Sequence, residues 1–302
     1  FKVNDGEYKM MGLAPYGEPK YTEIIKKYLI NFKEDGSFKL NQEYFNYSTG
    51  LTMINKKFKQ LFKMGVRKGN DKLLQKHMDV AASIQLVLEE IILLLTKNLS
   101  KEYGVKNLCL AGGVALNCVA NGKIIKSGYF KDLWIQPAAG DAGGSLGAAL
   151  AIYYEHFKKE RYIKKQDSMK NSYLGPEFNN LLIKEFLDKN RIKYKYQNDK
   201  ELVLTIAHSL SEGKIIGWFQ DKMEFGPRAL GNRSIIADPR SDKMQKNLNL
   251  KIKFRESFRP FAPIVLKEKV SKWFNFNGNS PYMLLVSDIK DNKKIKVNEK
   301  NK

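Results

Sequence analysis

Residues 107–126 have the sequence NLCLAGGVALNCVANGKIIK, and residues 132–149 have the sequence DLWIQPAAGDAGGSLGAA. Each stretch starts with an apolar run that predicts a short strand, passes through glycines that predict a turn, and ends in residues that predict a helix. Two such units in succession are typical of α/β organisation with crossover connections. We therefore predict an α/β fold, with 107–111 as a buried strand in which Cys109 is a small core residue.

Upstream of this stretch, a helical periodicity covers about residues 71–102. Apolar residues recur there at spacings of three or four, namely Leu74, Met78, Ala81, Ile84, Leu88, Ile91 and Leu95. This spacing predicts one long helix with an apolar stripe, and Gly104 is placed to end it.

Downstream, residues 158–176 (KKERYIKKQDSMKNSYLGP) are charged and polar, end in Gly-Pro and predict a linker. The predicted domains are therefore 1–165 and 166–302. In the second, the pattern predicts an α+β or α/β arrangement. Its predicted helices cover about 177–189 and 199–212, and its predicted strands are IKYKYQ (192–197), KIIGWFQ (214–220) and FRPFAPIVL (258–266).

Composition excludes several classes of protein. Of the 302 residues, 43% are hydrophobic, which excludes a disordered chain. The longest apolar run, 84–95, is interrupted by two glutamates and is shorter than the roughly 20 residues of a membrane span, so we expect no membrane association. Two cysteines argue against a disulfide framework and predict a cytoplasmic location.

The formal net charge is +21. The lysines and the arginines that produce this charge are distributed differently along the chain. The 45 lysines are spread along the chain, as in a solvated surface or a compositional bias. Five of the eight arginines lie within 32 residues: Arg228, Arg233, Arg240, Arg255 and Arg259. Because arginine binds anions through a planar fork of donors, this cluster carries more information than the total charge.

Both glycine turns are candidates for a phosphate or nucleotide site. Backbone N–H groups at a strand–helix junction point toward a bound anion, and glycine allows close approach. Asp141, in the second turn, could bind a cation. The alternative is two ordinary turns with Asp141 as a helix N-cap.

The arginine cluster forms the second candidate site, from MEFGPRALGNRSIIADPR (223–240) to NLNLKIKFRESFRPFAP (247–263). Converging guanidinium groups and a lysine predict a clamp for phosphate or acyl-phosphate groups. Two alternatives stay open: a basic surface loop paired with Glu224, Asp238 and Glu256, and a nucleic-acid groove in which Phe and Arg alternate.

Five motifs together resemble a known family: MGLAPYGEP, AGGVALNCVANGKI, QPAAGDAGGSLGAA, GWFQDKMEFGPRALGNRSIIADPR and FRESFRPFAPIVL. They resemble the O-carbamoyltransferases of nodulation-factor and antibiotic biosynthesis, the NodU and CmcH type, from about residue 8 to at least 266. The resemblance implies that 1–165 is the C-terminal part of an actin/sugar-kinase-like (ASKHA, RNase H-like) domain and that 166–302 is an α+β YrdC-like domain.

The family resemblance also implies an activity of the EC 2.1.3 type. The YrdC-like domain would form carbamoyl-adenylate from carbamoyl phosphate and ATP, and the kinase-like domain would transfer the carbamoyl group to a hydroxyl of a sugar or antibiotic-like acceptor. Arg228, Lys253 and Arg259 would bind carbamoyl phosphate and the ATP phosphates. The nucleotide would lie against Gly112, Gly113, Val114, Asn117 and Gly143. Asp141 would ligate a divalent metal, Fe(II), with Mg²⁺ accompanying ATP.

The sequence departs from the family pattern at both ends. The histidine pair that supplies the other metal ligands would lie upstream of Phe1, and the YrdC-like domain would continue beyond Lys302. We therefore expect this chain alone to be inactive and Asp141 to be metal-free. Two other functions stay open, a tRNA threonylcarbamoyl-transfer enzyme and a non-catalytic nucleotide-binding protein. A homodimer is left open, and the family reading argues against a nucleic-acid partner.

Overall fold

A computed structural model describes residues 6–68, 71–163 and 166–295. The chain divides into two units. The first unit comprises Phe1–Cys109, Asn117–Trp134 and Phe254–Pro260, and the second comprises Leu110–Leu116, Ile135–Lys253 and Phe261–Lys302. Residues 164 and 165, next to the predicted domain boundary, lie outside the described ranges.

Helices and short strands are interspersed along the chain, and α4 is the one long helix among the described residues. The α-helices are α1 (Tyr8–Leu13), α2 (Thr22–Ile24), α3 (Lys56–Leu61), α4 (Gln75–Tyr103), α5 (Cys118–Ser127), α6 (Ala142–Ala151), α7 (Asn180–Lys189), α8 (Asp199–Ser211), α9 (Met244–Asn247) and α10 (Val270–Trp273). The strands are β1 (Ile30–Phe32), β2 (Phe38–Leu40), β3 (Asn107–Leu110), β4 (Asp132–Ile135), β5 (Ile216–Phe219) and β6 (Arg233–Ile236).

The first unit is built on α4, which confirms the predicted long helix. Its core packs Val80, Val87 and Ile91 of α4 against Ile25 and other apolar residues from the preceding segments. Gly104 adopts φ +62° and its N–H bonds to the Ser100 carbonyl, so the helix ends at the predicted glycine.

The strands pair in three two-stranded sheets, β1–β2, β3–β4 and β5–β6. β5 and β6 are antiparallel, with Phe219 opposite Arg233. The predicted strand 214–220 is confirmed as β5, whereas β6 lies where the sequence analysis predicted no strand.

Three predictions on the strands are wrong. Residues 192–197 belong to no strand, because no strand in the described part of the chain supplies hydrogen-bond partners, and Tyr196 is 78% exposed. Residues 258–266 are not a strand either, since Pro260 and Pro263 have no N–H for a ladder. Cys109 is exposed rather than buried, because β3 pairs with β4 alone among the described strands and its residues alternate between exposed and half-buried.

Helices α6, α7 and α8 lie at the surface of the second unit, and none of the three has a buried residue. Helices α7 and α8 lie close to their predicted ranges. No helix in the described ranges has both the length and the apolar content that a membrane crossing requires.

Candidate functional site

The first glycine turn follows β3 and lies in the second unit. Gly112 has φ +94°, a conformation that favours glycine, and its N–H bonds to the Ala139 carbonyl at 2.8 Å. The next residues, Gly113–Leu116, form a 3₁₀ turn. Gly113 is exposed and Val114 is 58% exposed. The outer surface of this turn is therefore open to a ligand.

The second glycine turn follows β4 and is bonded to the first through the Gly112–Ala139 hydrogen bond. A Cβ atom at Gly140 would lie 3.8 Å from Leu116 Cδ1, so the two turns are neighbours. A Cβ atom at Gly143 would lie only 2.1 Å from the Ala138 carbonyl oxygen. The geometry thus accounts for glycine at 143 by packing within the chain.

The loop that carries the Gly-Pro-Arg sequence lies against this pair of turns. Gly226 has φ +123°, and a Cβ atom there would lie 3.3 Å from the Pro137 carbonyl oxygen and 3.4 Å from Ala138 Cα. The Arg228 Nη2 atom donates to the Leu116 carbonyl at 3.4 Å. The structure therefore brings the Gly-Pro-Arg loop of the second candidate site next to the two glycine turns in the second unit.

Arg228 has unused hydrogen-bonding capacity at this place. Its Nε atom is buried and has no hydrogen-bond partner among the described residues. Burying an unpaired donor of a charged group is unfavourable, and a water molecule, an ion or a ligand that accepts its hydrogen bond would relieve this cost. The free donor lies on a half-buried guanidinium next to a turn whose outer backbone is open.

The Glu224 side chain holds this loop in place by accepting hydrogen bonds from the backbone of the loop. The side chain is 8% exposed, and Oε1 accepts the N–H groups of Leu230 and Asn232 at 2.8 Å and of Arg233 at 3.2 Å. Burial opposes ionisation and is the largest single effect on this carboxyl, but the backbone N–H donors outweigh it and lower its pKa. The alternative in which Glu224 pairs with an arginine side chain is wrong.

The other arginines of the cluster make protein contacts. Arg233 donates to the carbonyls of Gln220, Asn232 and Asp221 and lies 3.5 Å over the Phe219 ring. Arg240 pairs with Asp238, as the surface-loop alternative predicts.

Lys253 belongs to the second unit and Arg259 to the first. Lys253 is exposed after the helical turn Leu248–Ile252, and no hydrogen bond or ion pair in the described part of the chain joins it to Arg228. Arg259 belongs to the first unit, where its Nη1 lies 3.6 Å from Glu256 Oε2 and its guanidinium lies 4.8 Å over the Tyr8 ring. Their predicted role in phosphate binding stays a prediction.

Asn117, predicted to contact the nucleotide, caps α5 in the first unit. Its Oδ1 accepts the Ala120 N–H at 3.1 Å, and its amide exchanges two hydrogen bonds with Gln85 at 2.9 and 3.2 Å. These contacts give Asn117 a structural role that the sequence analysis did not assign.

Asp141 is exposed at the start of α6. It occupies the N-cap position, as one alternative predicted, but its side chain makes no capping hydrogen bond. Within the described ranges, no group of three or more His, Cys, Asp or Glu residues could hold a metal ion. One exposed carboxylate does not make a metal site by itself, and we derive no chemical step through a metal.

Comparison with protein families confirms the resemblance. Residues 1–150 match the carbamoyltransferase N-terminus family, and residues 207–300 match the carbamoyltransferase C-terminus family. The chain belongs to the carbamoyltransferases. The second match contains the whole loop that carries Glu224 and Arg228.

Individual relatives are similar along nearly the whole chain. The chain is 56% identical over 293 residues to the uncharacterized protein sll1178 of Synechocystis sp., covering 96% of this chain and 48% of that protein. It is 36% identical over 292 residues to nodulation protein NolO of Bradyrhizobium diazoefficiens (95% and 50%). It is 34% identical over 292 residues to nodulation protein NolNO of Sinorhizobium fredii (95% and 41%). The chain spans about half the length of the curated relatives it matches.

Proposed function

We propose that this chain carries the carbamoyl phosphate-binding machinery of an O-carbamoyltransferase, with Arg228 as the anion-binding residue. The observation that carries the proposal is the buried, unpartnered Nε of Arg228 beside the open Gly112–Leu116 turn. An arginine with a free donor can bind a phosphate oxygen with a charge-assisted hydrogen bond. Membership of the carbamoyltransferase family supplies the class of substrate.

The proposed reaction couples carbamoyl phosphate to ATP. For the atoms to balance, water releases inorganic phosphate and carbamate from carbamoyl phosphate, and a carbamate oxygen then attacks the α-phosphate of ATP and displaces pyrophosphate. The acceptor hydroxyl takes the carbamoyl group from carbamoyl-adenylate and AMP leaves. Arg228 would stabilise the negative charge that moves between phosphate oxygens in these steps.

The glycine turns would supply the nucleotide contacts of the transfer step. Gly112 and Gly113 leave the backbone accessible, since a Cβ atom at either position would meet nothing within 4 Å. Asp141, exposed and without a capping bond, would be the contribution of this chain to a metal site. The predicted domain 1–165 would have the ASKHA fold and the predicted domain 166–302 the YrdC-like fold. The acceptor would carry a hydroxyl group, and the enzyme would be cytoplasmic.

The test compares equilibrium binding of carbamoyl phosphate in the wild type and in Arg228→Ala, because binding can be measured in a chain that does not turn over. Arg240→Ala is the matched control, because this arginine lies in the same region but pairs with Asp238. We expect binding to fall at least tenfold in Arg228→Ala and to stay unchanged in the control. Wild-type protein that binds no carbamoyl phosphate would refute the proposal.

A further inference from the structure

We propose that Glu224 is a positioning residue for carbamoyl phosphate binding, acting through the loop that presents Arg228. The inference rests on the proposed function and adds to it a residue that does not itself face the anion. A carboxylate four positions before an anion-binding arginine would be expected to pair with that arginine. Glu224 bonds to backbone N–H groups instead.

The hydrogen bonds of Glu224 close the loop on itself. A single oxygen, Oε1, accepts N–H groups from residues six, eight and nine positions later, namely Leu230, Asn232 and Arg233. Arg228 lies between the two ends of this closed segment. Because an N–H bonded to a buried carboxylate is expensive to release, the path of the backbone around Arg228 is fixed.

Further hydrogen bonds tie the same loop to the rest of the second unit. The Tyr173 hydroxyl donates to the Leu230 carbonyl at 2.9 Å, and the Phe225 N–H donates to the Ser172 carbonyl at 2.7 Å. The Asn232 side-chain amide donates to the Lys222 carbonyl at 2.8 Å. These hydrogen bonds hold the two ends of the loop, and Arg228 lies between them.

Arg228 itself contributes little to its own placement. Its one hydrogen bond, to the Leu116 carbonyl, is long at 3.4 Å, and its Nε has no partner among the described residues. A side chain with five donors and one long bond is available for a ligand but is not held by its surroundings. The backbone that Glu224 fixes therefore determines where the guanidinium lies.

The charge of Glu224 suits this role. Three N–H groups directed at one oxygen favour the ionised form of the carboxylate although it is buried. Its negative charge therefore interacts with backbone N–H groups of the loop. The anion-binding guanidinium is left with its positive charge unpaired by this carboxylate. An amide in place of the carboxylate would keep one acceptor oxygen but lose the charge-assisted strength of the bonds.

The experiment is a double-mutant cycle on carbamoyl phosphate binding by the full chain. Equilibrium dissociation constants are measured for the wild type, Glu224→Gln, Arg228→Lys and the double variant, with thermal unfolding of each. Glu212→Gln is the matched control, because Glu212 is a surface carboxylate of the same unit that pairs with Lys214. We expect each single substitution to weaken binding at least tenfold. The double variant should be no more than about twofold weaker than Arg228→Lys, because residues that act as a unit are not additive.

The outcomes separate the inference from the proposed function. Wild-type protein without carbamoyl phosphate binding overturns both. Binding that falls in Arg228→Lys but not in Glu224→Gln, or effects that multiply in the double variant, overturn the inference alone. If Glu224→Gln does not fold, Tyr173→Phe takes its place in the cycle, since it releases Leu230 in the same loop without a change of charge, and unchanged binding in that variant overturns the inference.

Discussion

Arg228 Nη2 lies 3.4 Å from the carbonyl oxygen of Leu116, although 112 positions separate the two residues in the chain. The hydrogen bond joins the tip of the Gly-Pro-Arg loop to the last residue of the first glycine turn. The same loop touches the second turn, where Gly226 packs near Ala138. Two motifs that are distant in sequence thus form one candidate site within the second unit.

The first prediction concerns Arg228→Lys. Lysine keeps the positive charge but lacks the Nε donor and the planar fork, so it cannot make the directed hydrogen bonds that guanidinium makes to a phosphate. We expect a loss of about 1.5–3 kcal/mol in carbamoyl phosphate binding, the range for a hydrogen bond to a charged group. Calorimetric titration measures the loss. The melting temperature should hardly change, because Nε has no partner among the described residues and the Nη2 hydrogen bond to the Leu116 carbonyl is long at 3.4 Å.

The second prediction compares two adjacent glycines at the start of α6. A Cβ atom at Gly143 would lie 2.1 Å from the Ala138 carbonyl oxygen, whereas one at Gly144 would meet nothing within 4 Å. Gly143→Ala should therefore destabilise the protein by about 1–3 kcal/mol through overpacking. Gly144→Ala should stabilise it by up to about 1 kcal/mol, because alanine is the better helix former. Chemical denaturation measures both, and equal effects would contradict the packing role of Gly143.

The elements that periodicity and glycine placement define were predictable. The apolar stripe on α4 and the glycine at 104 fix that helix by local physics, and the two strand–turn–helix units have clear local signals. The prediction of a strand at 192–197 was wrong, because an alternation of apolar and polar residues cannot show whether a neighbouring strand exists. β6 was missed since its four residues follow a glycine-rich segment that has the composition of a loop.

The candidate site was only partly predictable. The sequence identified Arg228 and both glycine turns, but their proximity depends on backbone contacts at Leu116 and Ala138 that no local pattern encodes. One open alternative paired Glu224 with the basic loop, because charge suggests ion pairs. Its bonds to backbone N–H groups become visible only when the loop is folded. Its position two residues before Gly-Pro, where a carboxylate can accept turn N–H groups, was the available signal.

The third prediction separates nucleotide contact from folding in the first glycine turn. Gly112→Ala should destabilise the chain, because φ +94° is strained for a residue with a side chain. Gly113→Ala should leave stability nearly unchanged, because a Cβ atom there would meet nothing within 4 Å. If ATP lies against this turn as proposed, the new methyl group should weaken ATP binding at least tenfold in Gly113→Ala. Calorimetric titration with ATP checks this, and unchanged affinity would exclude Gly113 from the nucleotide site.

The fourth prediction is a pH dependence that Glu224 imposes on stability. Its pKa is lowered in the folded protein, as the backbone N–H donors outweigh the opposing effect of burial. A carboxyl whose folded pKa is below its unfolded value stabilises the protein fully above the unfolded pKa, which is about 4.3 for glutamate. The contribution is lost as the pH falls through the folded pKa.

Glu224→Gln should therefore cost about 1.5–3 kcal/mol at pH 7, the range for hydrogen bonds to a charged group. The difference from the wild type should shrink as the pH falls below about 4.3 and through the folded pKa of Glu224, because protonation removes the same charge from the wild type. Urea unfolding at a series of pH values measures this. In Glu212→Gln, where an exposed ion pair with Lys214 is lost, the difference at pH 7 should be much smaller. A constant difference between wild type and Glu224→Gln over the whole pH range would show that the charge of Glu224 does not stabilise the loop.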